Sequence, residues 1–260
     1  MRITLIGSGN VATHLGAALK NAGHYIVQVY SRNPQNAALL AYHLKAEAIS
    51  DISEVNPDTD LFIISTADDA IDGIAAQLAY HQIPIVHTSG ATPIQVLLKH
   101  TEHAGVFYPL QTFSKTKEVD FHTVPLCVEG AYEHLTAMLK ELAQTISNNV
   151  DVVSSDKRKI LHLSAVFACN FPNYLYYTAQ QLLAAHHLDF NLLRPLIIET
   201  AEKVQVQFPA NVQTGPAIRN DKKTMEAHIG LLNNEPVLKE IYELLSQCII
   251  KMGEGQHRVE

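Results

Sequence analysis

The segment Ile3-Thr4-Leu5-Ile6-Gly7-Ser8-Gly9-Asn10-Val11-Ala12 sets the architecture that we predict for the whole chain. An apolar run leads directly into a glycine-rich turn, after which apolar residues recur at helical spacing as far as Leu19. This strand–turn–helix context makes the G-x-G-x-x-A pattern a specific indication of a dinucleotide site at the start of a βαβ unit. The alternative is an ordinary tight strand–helix turn without a ligand.

Each small residue of this turn meets a separate physical requirement. Gly7 allows the sharp turn off the strand, and Gly9 lets the backbone approach a pyrophosphate. Ala12 is small enough for the helix to lie close to the sheet. The free N–H groups and the dipole at the helix start favour an anion. We therefore predict that the cofactor is bound at Gly7, Ser8, Gly9, Asn10 and Val11.

The end of the second strand, Tyr25–Tyr30, indicates which cofactor is bound. An NAD site usually has Asp or Glu at this point, whereas this chain has Ser31, Arg32 and Asn33. Arg32 can pair bidentately with a 2′-phosphate, and no carboxylate is present to repel one. We predict that these three residues bind NADP in preference to NAD. The alternative is a solvated arginine at the start of the next helix.

Apolar strands alternate with helices through the first 154 residues, which predicts a doubly wound parallel sheet and thus an α/β fold. Ligands of such sheets bind at the carboxyl ends of the strands. Three strand ends supply candidate side chains there. Ser65, Thr66 and Ala67 are predicted to contact the cofactor, His87 and Ser89 to take part in catalysis, and Gln111 to contact the substrate.

The two catalytic candidates on the loop that starts at His87 have structural alternatives. His87 is a proton-donor candidate because imidazole titrates near neutrality, although a histidine at a strand end also serves structural roles. Ser89 can hydrogen-bond the cofactor carboxamide or the substrate, or it can be a turn residue before Gly90.

From about Asp156 onward the pattern is helical, which predicts an NADP-binding Rossmann domain at 1–154 and an all-α domain at 155–260. A long, buried helix is expected over Asp156–Leu183, bent by Pro172. A polar tail, frayed at its end, is expected over Gly253–Glu260.

The long helix carries the other two catalytic candidates. At ~100° per residue, His162 and Asn170 fall on one polar stripe, together with Lys159 and Asn173. Such a stripe can hold a carbonyl or an imine, and His162 can also donate a proton. The alternative is that these are core polar residues whose hydrogen bonds go to backbone carbonyls.

Arg219, Asp221 and His228 form a further polar cluster. Arg219 can bind a substrate carboxylate bidentately, or it can pair with Asp221, which we favour slightly because the spacing is short. Asp221 is explained as the N-cap of the next helix.

Composition excludes several classes of function. The 260-residue chain has a net charge of −7, which gives no basic surface for nucleic acid. No apolar run reaches the ~20 residues that span a bilayer, and the first strand starts too early for a signal peptide. Three widely spaced cysteines are predicted to be buried in a reducing compartment, and no metal site is predicted. We therefore expect a cytoplasmic protein.

Several segments carry a family resemblance. These are Gly7–Ala12, His87–Ala91, Tyr108–Phe113, Lys159–Asn170 and Thr214–Asp221 with His228. On them the chain resembles the small two-domain NADP-dependent oxidoreductases, which include pyrroline-5-carboxylate reductase, the β-hydroxyacid dehydrogenases and the F420-dependent NADP reductases. It looks most like the group that combines a Rossmann-like domain with a DUF2520 domain.

The resemblance implies a helical C-terminal domain that helps to form a dimer, with the active cleft between the two domains. Two departures from the related patterns are visible. The group usually has Arg-Gly-Asp where this chain has Arg219-Asn220-Asp221, and asparagine also tolerates a left-handed backbone. The Lys-x-x-x-Asn pair of the β-hydroxyacid dehydrogenases is absent, since Lys159 and Asn170 are eleven positions apart.

Two classes of function remain open from the sequence. The first is an NADP-dependent oxidoreductase that transfers hydride to or from a small keto or imino acid (or the hydroxy or amino acid), with an F420-dependent NADP reductase as a variant. The second is a regulatory module that binds NADP and catalyses nothing. The apolar C-terminal helices predict a homodimer.

Overall fold

The structure is a computed structural model that describes residues 1–256 and the side chains of residues 1–254. The chain divides into two compact units, Met1–Leu175 and Tyr176–Glu260, which are described separately below. The predicted domain boundary at residue 154 stays a prediction.

The first unit is built on one eight-stranded sheet. Its strands are β1 (Arg2–Ile6), β2 (Tyr25–Tyr30), β3 (Glu47–Ile49), β4 (Leu61–Ile64), β5 (Ile85–His87), β6 (Ala104–Pro109), β7 (Leu126–Gly130) and β8 (Val150–Val152). They lie in the order β3-β2-β1-β4-β5-β6-β7-β8. The chain thus leaves β1 toward one edge of the sheet and returns to continue toward the other, which confirms the predicted doubly wound α/β fold.

Helices cover both faces of this sheet. They are α1 (Asn10–Asn21), α2 (Pro34–Leu44), α3 (Ile71–Leu78), α4 (Gln95–Leu98), α5 (Glu133–Gln144) and α6 (Ser155–Ala165). Successive residues of a strand point to opposite faces, so Leu61 and Ile63 pack in one core with α1, α2 and α5, and Phe62 and Ile64 pack in the other with α3 and α4. Burial on both faces explains why these strands are continuously apolar.

The seventh strand is an exception to the predicted parallel sheet. β7 pairs antiparallel with β6, with Gly130 opposite Gly105 and Leu126 opposite Pro109. β8 then pairs parallel with β7. The last two strands therefore run against the other six, because an apolar run in the sequence carries no information about strand direction.

The predicted long helix is interrupted by a π-helical turn. α6 ends at Ala165, a π-helix covers Val166–Asn170, and α7 covers Phe171–Ala185. Pro172 lies in the first turn of α7, directly after the π-turn. A proline has no N–H to donate to the preceding turn, and a local π-turn accommodates that loss. The predicted bend at Pro172 stays a prediction, and the structure shows a π-turn directly before this proline.

The second unit is helical. After α7 it contains α8 (Arg194–Val206), α9 (Lys222–Leu231) and α10 (Pro236–Gln256). Asp221 caps α9 by accepting a hydrogen bond from the Thr224 amide at 3.1 Å, which confirms its predicted role. Asn220 has a left-handed φ of 51°, the conformation that glycine would adopt there.

The C-terminal tail differs from the prediction. A frayed tail was expected to begin at Gly253, but α10 continues to Gln256, so the prediction is wrong for residues 253–256. Residues 257–260 lie outside the described part of the chain. No helix among residues 1–256 is both long and apolar enough to cross a membrane.

The expected burial of the long helix is wrong for the single chain. Leu163 is 52 % exposed and Phe167 is 64 % exposed. The prediction that all three cysteines are buried is also wrong, since Cys127 is buried whereas Cys169 and Cys248 are exposed.

Candidate functional site

A pocket of about 990 Å³ lies at the carboxyl ends of β1, β2, β4, β5 and β6, within the first compact unit. Fourteen of the residues predicted for the site line it. They are Gly7, Ser8, Gly9, Asn10, Val11, Ser31, Arg32, Asn33, Ser65, Thr66, Ala67, Ser89, Gln111 and His162. Three others, His87, Asn170 and Arg219, are not among its lining residues.

Gly7 forms the sharp turn at one end of this pocket. Its φ is 127°, a value that side-chain-bearing residues rarely adopt, and its amide donates to the Tyr30 carbonyl at 2.8 Å. A Cβ atom at this position would lie far inside the contact distance of the Ser65 carbonyl oxygen. Only glycine therefore fits between the ends of β1 and β4.

Gly9 plays a different part in the same turn. It is the N-cap of α1 in an extended conformation, with φ −76°, and a Cβ built on it meets nothing within 4 Å. No side chain caps the start of α1 among the described residues. The start of α1 thus lines the pocket without a side-chain cap, which is the arrangement that receives a phosphate group.

The end of β2 offers a cation next to this turn. The Ser8 hydroxyl donates to the Ser31 hydroxyl at 2.9 Å, which ties the glycine turn to the end of β2. Asn33 caps α2 through its Oδ1 atom. Arg32 is exposed and makes no hydrogen bond or ion pair within residues 1–256. Its guanidinium is therefore available to a ligand.

A hydrogen-bonded histidine and tyrosine line the other part of the pocket. The His162 Nδ1 atom lies 3.1 Å from the Tyr108 hydroxyl, and the two rings meet edge to face. Burial raises the pKa of Tyr108 to about 12, so the phenol keeps its proton at neutral pH. A Cβ atom on Gly90 would lie 2.6 Å from His162 Nδ1 and 2.8 Å from the Tyr108 ring. Gly90 thus leaves room for this pair.

Ser89 combines the two roles considered for it. Its Oγ atom accepts hydrogen bonds from the Ala91 and Thr92 amides, at 3.2 and 2.9 Å, and so stabilises a turn. The hydroxyl hydrogen is not used by these bonds. Because Ser89 also lines the pocket, it can donate to a ligand.

His87, the predicted proton donor, does not line the pocket. His87 is fully buried behind the pocket, and its Nδ1 atom accepts a hydrogen bond from the Ser89 amide at 3.2 Å. Burial, with the nearby Arg158 guanidinium as a smaller cause, lowers the pKa of His87 to about 3. The imidazole is therefore neutral at physiological pH, and its role is to hold the Ser89 turn.

Of the predicted stripe, His162 lines the pocket and Asn170 does not. Asn170 is exposed and lies at the end of the π-turn. The prediction assumed α-helical rotation throughout, and a π-turn contains more residues per turn, which changes the face on which Asn170 lies. Lys159 forms an exposed ion pair with Asp156 at 3.8 Å and is not among the lining residues.

Arg219 belongs to the second compact unit, in the turn before α9. Among the described residues, Arg219 forms no ion pair with Asp221. The short spacing in the sequence slightly favours that pairing, and the structure does not contain it. The pKa of Asp221 is lowered chiefly by its hydrogen bonds from Thr224, and the Arg219 charge contributes less. The guanidinium thus has no fixed partner in this part of the chain.

Sequence reasoning missed a buried cluster behind the pocket. Arg158 is fully buried and pairs with Glu129, with 2.6 Å between Nη1 and Oε2. The sequence Lys157-Arg158-Lys159 at a helix start is typical of a solvated surface, and arginine is rarely buried without a partner. The available signal was that Arg158 and His162 lie four positions apart, on one face of α6.

Two domain models match the chain. A Rossmann-like domain matches residues 1–112, and a domain of unknown function, DUF2520, matches residues 124–249. A search of the curated proteins found no match.

Solved structures share the whole fold. A Bacteroides fragilis protein described as a candidate NADP oxidoreductase has 44 % sequence identity and a TM-score of 0.91, over 96 % of this chain and 98 % of that one. A Thermotoga maritima protein is 22 % identical with a TM-score of 0.76, covering 98 % and 99 % of the two chains. An imine reductase from Myxococcus stipitatus, solved with NADP⁺, is 14 % identical with a TM-score of 0.69, over 99 % and 96 %.

The ranges matched by the two domain models cover nearly all of the segments that carry the resemblance. The Bacteroides fragilis relative extends the similarity over nearly the full length of both chains. The chain therefore belongs to the family of proteins that join a Rossmann-like domain to a DUF2520 domain.

Proposed function

We propose that this protein is an NADP-dependent oxidoreductase that acts on a small keto or imino acid, or on the corresponding hydroxy or amino acid in the reverse direction. The observation that carries the proposal is a single pocket that holds an uncapped helix start, an unpaired arginine and a histidine with a fixed hydrogen-bond partner. The Bacteroides fragilis relative, named for NADP oxidoreduction, supports the same class of reaction.

The lining residues fit a dinucleotide phosphate. The open space at Gly9 and the start of α1 suit the pyrophosphate, and Arg32 suits a 2′-phosphate. Among the described residues that line the pocket, the side chains of the Asp, Glu, Lys and Arg types are those of Arg32 and Asp68. No carboxylate follows β2 directly, which favours NADP over NAD.

His162 is the proposed proton donor. A bound nicotinamide ring supplies or accepts the hydride. The Tyr108 hydroxyl is hydrogen-bonded to His162 Nδ1, so Nε2 is the ring nitrogen left to exchange a proton with the substrate. In the reductive direction protonated His162 gives its Nε2 proton to the carbonyl oxygen or the imine nitrogen and becomes a neutral imidazole.

Two neutral groups are proposed to hold the substrate. The Ser89 hydroxyl and the Gln111 amide are donors that line the pocket near His162 in the same compact unit. Arg219 lies in the second compact unit, and its binding of a substrate carboxylate stays a prediction. A keto acid and its methyl ester, compared in one assay, separate recognition of the carboxylate from recognition of the carbonyl.

The proposal is tested by following NADPH oxidation over a panel of small carbonyl and imine compounds, with a further arm that contains reduced F420 and NADP⁺. Turnover of a keto or imino acid supports the proposed reaction. Turnover in the F420 arm alone assigns the chain to the deazaflavin variant. Tight NADPH binding without turnover of any compound overturns the catalytic proposal in favour of the regulatory one.

Replacing Arg32 with alanine tests the choice of cofactor. A charge-assisted hydrogen bond contributes about 1.5–3 kcal/mol, so the Kd for NADPH should rise by about 10- to 100-fold. The Kd for NADH should not change, since NADH has no 2′-phosphate. Calorimetry with both nucleotides measures this, and Arg2→Ala, at the opposite end of β1, is the matched control. An unchanged NADPH affinity in Arg32→Ala would remove Arg32 from the site.

We also propose that two copies of the chain associate through the C-terminal helices. Exposed apolar side chains recur along them and include Phe167, Phe171, Leu196 and Ile198. Light scattering at micromolar concentration should give about twice the chain mass of 28.7 kDa. Leu196→Glu should shift the mass toward the monomer, whereas Tyr42→Glu, an exposed position on α2, should not. A monomeric wild-type protein would contradict the proposal.

A further inference from the structure

The buried side chain of Arg158 joins three separate elements of the first compact unit. Its Nη1 atom donates to Glu129 on β7 at 2.6 Å, and its Nη2 atom donates to the Thr92 carbonyl at 2.6 Å. Nη2 also lies 3.2 Å from the hydroxyl of Ser155, one turn earlier on α6. Arg158 is 0 % exposed and is not among the residues that line the pocket, so it does not contact a ligand there.

Ser155 connects the same three elements by a second route. Its amide and its hydroxyl both donate to the Glu129 carboxylate, at 3.0 and 2.7 Å. Its oxygen accepts the amide of Ile94 at 2.9 Å. The start of α6 and the 88–94 loop are therefore fixed to one partly buried carboxylate.

These two elements carry the groups that meet in the pocket. The 88–94 loop presents Ser89 and Gly90, and α6 presents His162 one turn after Arg158. The position of a Cβ atom on Gly90 lies 2.6 Å from His162 Nδ1, so the loop and the imidazole are in close contact. A small rotation of α6 would change both this contact and the hydrogen bond to Tyr108.

We infer that Arg158 and Glu129 are positioning residues, which set the orientation of the His162 ring relative to the Ser89–Gly90 turn and the bound substrate. This inference rests on the proposed function of the pocket. Its physical basis is that a buried ion pair is often no more stabilising than an apolar pair of similar size, so stability alone does not account for it. An arginine whose two Nη atoms donate to Glu129 and to the Thr92 carbonyl does determine how the elements that it joins are oriented.

The test replaces the whole pair, because removing one partner would leave a buried charge unpaired. We would compare Arg158→Met combined with Glu129→Leu against a matched exchange on the surface, Arg2→Met combined with Asp58→Leu, whose ion pair is 2.8 Å long and exposed. Four quantities are measured: the melting temperature, the Kd for NADPH, the ¹⁵N resonances of the His162 ring, and kcat and KM for a substrate found in the screen. His162→Gln assigns the ring resonances.

We expect the buried double variant to fold and to bind NADPH as the wild type does, since Gly7, Gly9 and Arg32 are not in the cluster. The His162 resonances should change from one tautomer to a mixture. A misplaced catalytic group of this kind lowers the rate by about 10- to 100-fold, and the loss should appear in kcat rather than in KM. The surface variant should match the wild type in every measurement.

Wild-type His162 resonances in a folded double variant would overturn the inference. If the double variant does not fold, Ser155→Ala is the second test. It weakens the connection between α6, Glu129 and the 88–94 loop without leaving a charge unpaired. It should accelerate amide exchange at Ile94 and alter the His162 resonances, and wild-type behaviour in both would overturn the inference. The His162 resonances and the NADPH Kd can be measured even if no substrate is turned over. Failure of this inference can therefore be distinguished from failure of the proposed function.

Discussion

Gly7→Ala is expected to lower both the stability of the protein and its affinity for NADPH. At φ 127° an alanine is strained, and its methyl group would overlap the Ser65 carbonyl. Backbone strain of this kind costs about 1–3 kcal/mol, and overpacking costs a further ~1–3 kcal/mol. A loss of about 2–6 kcal/mol should reduce Tm by roughly 5–20 °C for a chain of this size. Thermal unfolding and calorimetry with NADPH measure the two effects.

Gly9→Ala separates the cofactor site from the fold. Gly9 has an ordinary extended conformation and open space at its Cβ position, so its replacement should leave Tm within a few degrees of the wild type. The new methyl group would enter the space assigned to the pyrophosphate. Weakening one charge-assisted hydrogen bond there should raise the NADPH Kd by about 10- to 100-fold. Wild-type affinity in Gly9→Ala would contradict the placement of the phosphates.

His162→Gln is expected to produce the largest loss of catalysis. Glutamine can donate a hydrogen bond, but it cannot transfer a proton in the same way. Removal of a general acid typically lowers the rate by about 10²- to 10⁴-fold, so kcat should fall by this amount. The Kd for NADPH should be unchanged, because His162 lies away from the residues assigned to the phosphates. Steady-state kinetics in both directions measure the effect.

Two other substitutions show whether His162 acts through its tautomer. Tyr108→Phe removes the partner of Nδ1 and should lower kcat by about fivefold, the usual effect of one lost hydrogen bond of ~1 kcal/mol. His134→Gln, on the exposed face of α5, should have no effect. Full activity in His162→Gln would assign the proton to another group, and Ser89 would be the next candidate.

The cofactor end of the site was predictable because its requirements are local. A turn that only glycine can make, a helix start without a cap and an arginine after β2 all lie within the first 33 residues. Such features depend on neighbours in the sequence, and each of the residues predicted for this end does line the pocket.

The catalytic end was less predictable because it depends on contacts between distant segments. His87 was a proton-donor candidate by its position, yet its pKa is set by burial under elements that follow it in the chain. Asn170 was placed on a helical face that a π-turn displaces. Arg158 lies in a run of three cationic residues, and its burial follows from Glu129, which is 29 positions away.

The reversed direction of β7 determines how His162 reaches the ligand edge of the sheet. Since β7 and β8 run against β6, β8 ends near the amino ends of the first six strands, and α6 starts from there. From Ser155 to His162 the helix rises by about 10 Å. From Gly105 to Tyr108, β6 advances by about the same distance. Had the seventh strand been parallel, the helix would have departed from the carboxyl edge, and its imidazole would have been carried away from the tyrosine.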